Sequence, residues 1–361
     1  MREFFLKTFI FVVLISALLV GCNRPPSVFP NGFSKHIELL ERNNDSHCNL
    51  VPPFTDSLVF PSKYQGAGSA RDELNKDSEA RYRALTEQIN HFSANVARLS
   101  NRLYRDKGSM DDYSCFLQTL SAWAEQDGLL GEANSTGKAI RKWNLALLSS
   151  NYLKLHSLHS KLDDERFRQQ RRQITAWLSE LADVVIVDYQ DQPKEKINNH
   201  NYWAAWAVMV TSAFSGSDFH YDWAKNQYEF AVMQISDEGL WPNELKRASR
   251  AHQYHNFALA PVVAIASFLK HNGDLEGGLP PTVRLVARNV LMGIESQLLF
   301  VSLTGTNQAS HLITEKGRLA WLPIYVSLTA DPFAETLMEK YQPEGSTRLG
   351  GNTQALFLNT G

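Results

Sequence analysis

The 361 residues carry no excess of either charge: 36 Lys and Arg stand against 38 Asp and Glu, a formal net charge of −2. A globally basic surface for nucleic acid is thereby excluded, and any polyanionic partner has to be met by a local cluster of cations. Strand-type alternation is scarce, no internal repeat is evident, and the one long apolar run, Phe9 to Val20, is too short to span a bilayer. Cysteine is held to three residues, Cys22, Cys48 and Cys115. The composition, 43% apolar and 20% charged, excludes disorder and suits one large domain or two modest ones.

Arg2 and Lys7 precede the apolar run, which ends in Leu19-Val20-Gly21-Cys22. That order reads as a signal peptide over 1–21. The small residue before Cys22 resembles a bacterial lipobox, so Cys22 is expected to be acylated, the other reading being a plain secretory signal. Asn23 follows where an inner-membrane lipoprotein would carry Asp, and the expectation is a periplasmic protein held to the outer membrane by its acyl chains. Loss of 1–21 removes Arg2, Lys7 and Glu3 and takes the net charge from −2 to −3. Export to an oxidising compartment makes a Cys48–Cys115 bridge the expectation, against two buried thiols. Residues 22–61, rich in proline, read as a tether and N-terminal arm, and 62–361 as the folded body.

In that body the helical period dominates. Tyr82, Leu85, Ile89, Phe92, Val96, Leu99 and Leu103 form one apolar stripe. Further helices are expected over 115–124, 141–155, 167–189, 202–214, 221–235, 262–271, 282–297, 319–328 and 333–341. Short glycine- and proline-marked connections make these antiparallel neighbours, and their number favours a curved α/α array or toroid over a four-helix bundle.

Three segments hold polar residues that a helical core does not require. Asn198-Asn199-His200-Asn201 leads into Tyr202-Trp203-Ala204-Ala205-Trp206; Asn201 is a candidate N-cap. In Pro242 to Asn256, a helix would put Arg247, Arg250 and Tyr254 on one face at i, i+3 and i+7, facing a cleft or, alternatively, solvent. His252 and His255 lack an HExxH pattern or a carboxylate at ligand spacing, so no metal is expected. Ser62 to Arg71 places Lys63 and Tyr64 at the root of a Gly66/Gly68 loop that suits a lid and lacks Walker spacing.

The strings NNHNYWAAW (198–206), PNELKR with RA and YHN (242–256), SKY with GSAR (62–71), TGKAIRKW (136–143) and RLGG (348–351) closely resemble the alginate lyases of polysaccharide lyase family five, in the same order from about Cys48 to Gly351. The resemblance implies an incomplete α/α toroid and cleavage of mannuronate-rich alginate by β-elimination without a cofactor; a monomer is the expectation for the oligomeric state. It places Asn199, His200, Arg247 and Tyr254 in the active site, Lys63 and Tyr64 in the lid, and Trp143 and Arg348 along the sugar groove. Arg250, Lys246, Arg141 and Lys142 would supply local positive potential. QGAGS in the lid and the short tail after RLGG depart from the family pattern. The expectation is that Arg247 and His200 lower the Tyr254 pKa. Two rival readings are a non-catalytic polyuronate-binding lipoprotein and an α/α glycoside hydrolase using Asp237 or Glu238 with Glu244.

Overall fold

Helix starts in this chain are marked by side chains that accept backbone hydrogen bonds. Asn75 accepts from Ser78, Asn134 from Gly137, Asn198 from His200 and Ser217 from His220, while Ser109 and Asp112 form a reciprocal capping box. Each such cap contributes about 1 kcal/mol. The computed structural model describes residues 28–41, 48–65, 73–315 and 317–358. The expected signal segment, Cys22 and the lid tip lie outside them.

Among the described residues the chain forms α1 (Lys76–Tyr104), α2 (Met110–Ala124), α3 (Ser135–Leu153), α4 (His156–Lys161), α5 (Glu165–Tyr189), α6 (Asn199–Ser215) and α7 (Asp218–Met233). These are followed by α8 (Pro242–Leu245), α9 (Ala251–His271), α10 (Pro281–Glu295), α11 (Leu298–Thr304), α12 (Leu322–Thr329), α13 (Pro332–Tyr341) and α14 (Thr353–Phe357). Among the described residues the β-structure is confined to isolated bridges such as Tyr64 with Leu74.

The helices alternate between two layers. An inner series runs α1, α3, α6, α9, α12, each touching the next, while α2, α5, α7 and α10 pack against its outer side. This is the incomplete α/α toroid that the resemblance implies, and the helical stripes agree with it. The inner helix α6 is buried along nearly its whole length, from Asn199 to Ser212, which is why its sequence is apolar all round. Phe92 of α1 stacks on Trp123 of α2 at 3.7 Å, so the first hairpin is closed by aromatic faces.

Some boundaries differ from expectation. The N-cap of α6 is Asn198; Asn201 is buried and donates to the Tyr189 carbonyl at 3.2 Å. Helix α9 begins at Ala251, eleven residues before the expected Val262, and runs through Pro261. A proline there removes one backbone hydrogen bond, and burial on both sides offsets that loss. The arm docks on the first hairpins, with Trp123 Nε1 donating to the Val51 carbonyl at 2.9 Å. Cys48 and Cys115 bring their sulfurs to 2.13 Å, with Cα atoms 5.3 Å apart.

The RLGG turn is fastened from behind by a buried amine. Lys154, at the end of α3, donates to the Gly350 carbonyl (2.6 Å), Asn101 Oδ1 (2.7 Å) and Asn151 Oδ1 (3.0 Å). Gly350 and Gly351 adopt φ of +92° and +112°, where a side chain is strained, which accounts for the paired glycines. Ser150 and Trp206 both donate to the Arg348 carbonyl. Replacing Lys154 by methionine takes a donor from the buried Gly350 carbonyl and Asn151 Oδ1 and from the half-buried Asn101 Oδ1, and should cost about 3 kcal/mol in urea unfolding. The exposed Lys340→Met should stay within about 0.5 kcal/mol of the parent.

Candidate active site

The first turn of α6 is tied to the 242–250 segment by one carboxylate. Glu244 is fully buried, and its Oε1 accepts from the Asn199 backbone N–H (2.6 Å) and from Asn199 Nδ2 (2.9 Å). Its Oε2 lies 3.6 Å from Arg247 Nε. Burial raises the Glu244 pKa, opposed by Arg247 and by the two Asn199 donors. Asn199 and Arg247, two candidate carboxylate-binding groups, are thus positioned by a common anchor.

The 242–256 segment is not one helix. After the four residues of α8, Ala248 takes a left-handed φ of +49° and a short 3-10 turn runs to Arg250 before α9 starts. The expected i, i+3, i+7 face therefore does not exist as a helical face. The three side chains converge nonetheless: the Arg247 and Arg250 guanidinium carbons lie 4.5 and 5.0 Å from the centroid of the Tyr254 ring. Arg250 also faces the Tyr64 ring at 5.6 Å, donates to Tyr64 Oη at 3.4 Å, and donates to Gln253 Oε1 at 2.8 Å.

The Tyr254 phenol differs from expectation. Burial raises its pKa above the ordinary value, and Arg250 and Arg247 pull it back without cancelling that effect. In the free protein this phenol is protonated at neutral pH.

A second group of side chains sits beside the first. His200 follows Asn199 directly and tilts against Trp143, ring centroids 5.7 Å apart. The Arg348 guanidinium lies over Trp143 (4.7 Å) and Trp203 (5.8 Å), and burial takes its pKa down to about 10. A cavity of about 400 Å³ continues from here, lined by Trp203, Gln253, Asn256, Phe257, Arg318 and Arg348. Of the aromatic residues at the start of α6, Trp203 reaches the cavity, while Tyr202 and Trp206 are core.

Lys63 is directed to the Tyr82 ring at 4.1 Å. Its segment is pinned by Asn75 N–H to the Lys63 carbonyl and Gln65 N–H to the Glu73 carbonyl, both 2.9 Å, so the lid root is a closed loop neck. The Gly66–Arg71 part of the lid lies outside the described residues. The carboxylate pair of a glycoside hydrolase is not assembled: Asp237 and Glu238 are exposed, and Glu244 is buried behind Asn199. His255 accepts from the Trp241 backbone N–H, and His252 meets the Val290 carbonyl; burial lowers both pKa values to about 4.

Three residues at the site were not read as such from the sequence. Glu244 reads from the sequence only as the second carboxylate of the glycoside-hydrolase alternative, Tyr82 as one more member of the α1 stripe, and Lys142 as a general source of charge. The capping context of Asn199 is the one signal that could have found Glu244, since an orphan N–H at a helix start asks for an acceptor.

The fold and site together define a class: open α/α toroids whose inner helices carry a cleft of arginines and aromatic faces. The chain belongs to the alginate lyase family, whose family model matches residues 59–275. It is 38% identical to an alginate lyase of Pseudomonas syringae pv. syringae over 340 residues, covering 91% of this chain and 88% of that one. It is 37% identical to an alginate lyase of Azotobacter vinelandii over 333 residues, with the same shares covered. Its fold is similar to alginate lyase A1-III from Sphingomonas species A1, at a TM-score of 0.71, 20% identity and 89% of each chain. A structure of the same enzyme complexed with tetrasaccharide gives a TM-score of 0.74 at 20% identity, again over 89% of each chain.

Because Glu244 holds both Asn199 and Arg247, Glu244→Ala should destabilise the chain by about 3 kcal/mol in urea unfolding, removing the acceptor shared by the buried Asn199 backbone N–H and Nδ2. Glu244→Gln keeps an acceptor for Asn199 and should recover more than half of that stability.

Proposed function

We propose that the chain is a lyase that cuts mannuronate-rich alginate by β-elimination and leaves a 4,5-unsaturated uronate at the new non-reducing end. The observation that carries this reading is Tyr254 flanked by Arg247 and Arg250 next to the Asn199–Glu244–Arg247 clamp. Family membership supports it independently.

Removing the C5 proton of a uronate adds charge to a group that is already an anion. Arg247 can give charge-assisted hydrogen bonds to that carboxylate and Asn199 an amide N–H. Both strengthen as the carboxylate moves to its dianionic aci form, which is the condition for accelerating the step. A base then takes the C5 proton and an acid protonates the departing O4. In β-D-mannuronate the C5 hydrogen and the O4 bond lie on one side of the ring, so one group can serve in both roles. Tyr254 is that group in this reading, with Arg250 and Arg247 stabilising the phenolate. In α-L-guluronate the two lie on opposite faces and a single carrier cannot reach both.

Three measurements follow. Absorbance of the new C4=C5 double bond should appear on polymannuronate and be at least tenfold slower on polyguluronate, and Tyr254→Phe should abolish it while binding persists. Comparable rates on both polymers would overturn the single-carrier mechanism. Since the phenolate is the active base and the free phenol titrates above its ordinary value of about 10, kcat/KM should keep rising between about pH 6 and 9. A plateau above about pH 7 would assign the base to an imidazole.

The same reading includes export. Acylation of Cys22, anchoring in the periplasm, a monomeric body and a Cys48–Cys115 cross-link are its components, supported by the lipobox-like Val20-Gly21-Cys22 and by the approach of the two sulfurs. Intact mass of the mature chain should show a lipid adduct on Cys22 and two hydrogens fewer than the reduced form; a bare Cys22 would remove the anchor.

A further inference from the structure

Lys142 is a buried lysine with nothing acidic held for it. It projects from α3 with no exposed surface, and its Nζ lies 2.5 Å from Nδ1 of His200 and 3.0 Å from Tyr189 Oη. Two ring faces enclose the amine, Tyr189 at 4.7 Å and Trp143 at 4.9 Å. Asp188, the carboxylate whose field reaches it from α5, is already paired with Lys138 (3.0 Å) and Arg141 (2.8 Å). Burial and then the Arg348 charge hold the Lys142 pKa well below its ordinary value, while Asp188 opposes them. Burying an amine this deeply is costly, and a methionine would fill the same volume without that cost. The groups meeting the nitrogen explain its retention: a phenol oxygen, a ring nitrogen and two electron-rich faces together form a socket for an N–H donor.

We propose that Lys142 is a positioning residue that donates to Nδ1 of His200 and so holds this imidazole as the neutral Nε2–H tautomer, a hydrogen-bond donor to the uronate carboxylate and not a base. The inference rests on the proposed elimination for its purpose, though not for its geometry. Two ring nitrogens share one proton in a neutral imidazole, and the bond made at one decides which carries it. With Nδ1 accepting from Lys142, the proton is placed on Nε2. Taking up a second proton would require Nδ1 to surrender that bond and a cation to form beside Lys142, with Arg348 acting on the same region. A neutral Nε2–H donor strengthens its bond as charge builds on the carboxylate and needs no proton transfer of its own. Tyr254 is then left as the one proton carrier.

The test is nuclear magnetic resonance of the full-length chain with ¹⁵N-labelled histidine, the His200 signals assigned by their loss in His200→Ala. In the parent, the Nε2-protonated neutral pattern should persist from about pH 5.5 to 8.5, with no titration near the ordinary value of about 6.5. In Lys142→Met, His200 should titrate near that value, and kcat on polymannuronate should fall about 10- to 100-fold with KM within about twofold, as for other partners that orient a working histidine. Lys142→Gln, which keeps an N–H, should regain about tenfold in kcat over Lys142→Met. A parent spectrum showing Nδ1–H or imidazolium at neutral pH overturns the proposal, whether or not the variants fold. An unmoved His200 titration in a folded Lys142→Met overturns it as well. If the chain did not cut polymannuronate, the proposed function would fail while the spectrum still decided the tautomer.

Discussion

The site depends on one buried carboxylate. Glu244 receives the first free N–H of α6 and the Asn199 side chain on one oxygen and faces Arg247 with the other. A helix start leaves backbone N–H groups without partners, and here a side chain distant in sequence satisfies one of them. The same bond fixes the Asn199 amide and sets the distance between α6 and the segment before α9. Its burial makes the arrangement close to all-or-none, because half of such a network is worse than none. The positions of Asn199 and Arg247 are therefore correlated by construction, as the proposed grip of both on one substrate carboxylate requires.

Around that clamp, cations rest on aromatic faces: Arg247 and Arg250 on Tyr254, Arg348 on Trp143 and Trp203, Lys63 on Tyr82. A ring face holds a cation in place without cancelling its charge, in contrast to a carboxylate such as the Glu244 that Arg247 also faces. In a chain of net charge −2 this concentrates positive potential inside a low-dielectric cleft while the outer surface stays nearly neutral. In the proposed function, that local potential is what meets the polyanionic substrate. Lys154 performs a related task one layer back, where its three bonds hold the turn that presents Arg348.

Much of this was legible in the sequence because it is periodic. The stripe from Tyr82 to Leu103 fixes α1, and the continuous apolar run after Tyr202 marks an inner helix with no wet face. What was not legible is whatever depends on contacts between distant segments. Nothing in Pro242-Asn243-Glu244 tells a buried acid from an exposed one, since the deciding partner, Asn199, lies 45 residues away. Lys142 reads as one more charge in a helix until Tyr189 and His200 arrive from two others. The early start of α9 was hidden for a different reason: His252, Gln253, His255 and Asn256 are polar, yet all are buried and bonded inside the toroid.

The break at Ala248 shows why a helical reading of that segment was wrong in form. Along a continuous helix, residues seven apart are separated by about 10 Å of rise, so Arg247 and Tyr254 would have to meet through side-chain length alone. The left-handed residue turns the chain between them, and the guanidinium carbon comes to 4.5 Å from the ring. Such a conformation costs a non-glycine residue on the order of 1 kcal/mol. It persists because its surroundings specify it: Gln308 Nε2 donates to the Ala248 carbonyl at 3.0 Å, and the Ala309 N–H to the Ser249 carbonyl at 2.9 Å. The strain sits between Arg247 and Tyr254, the carboxylate donor and the proton carrier of the proposed elimination, and what it sets is their separation.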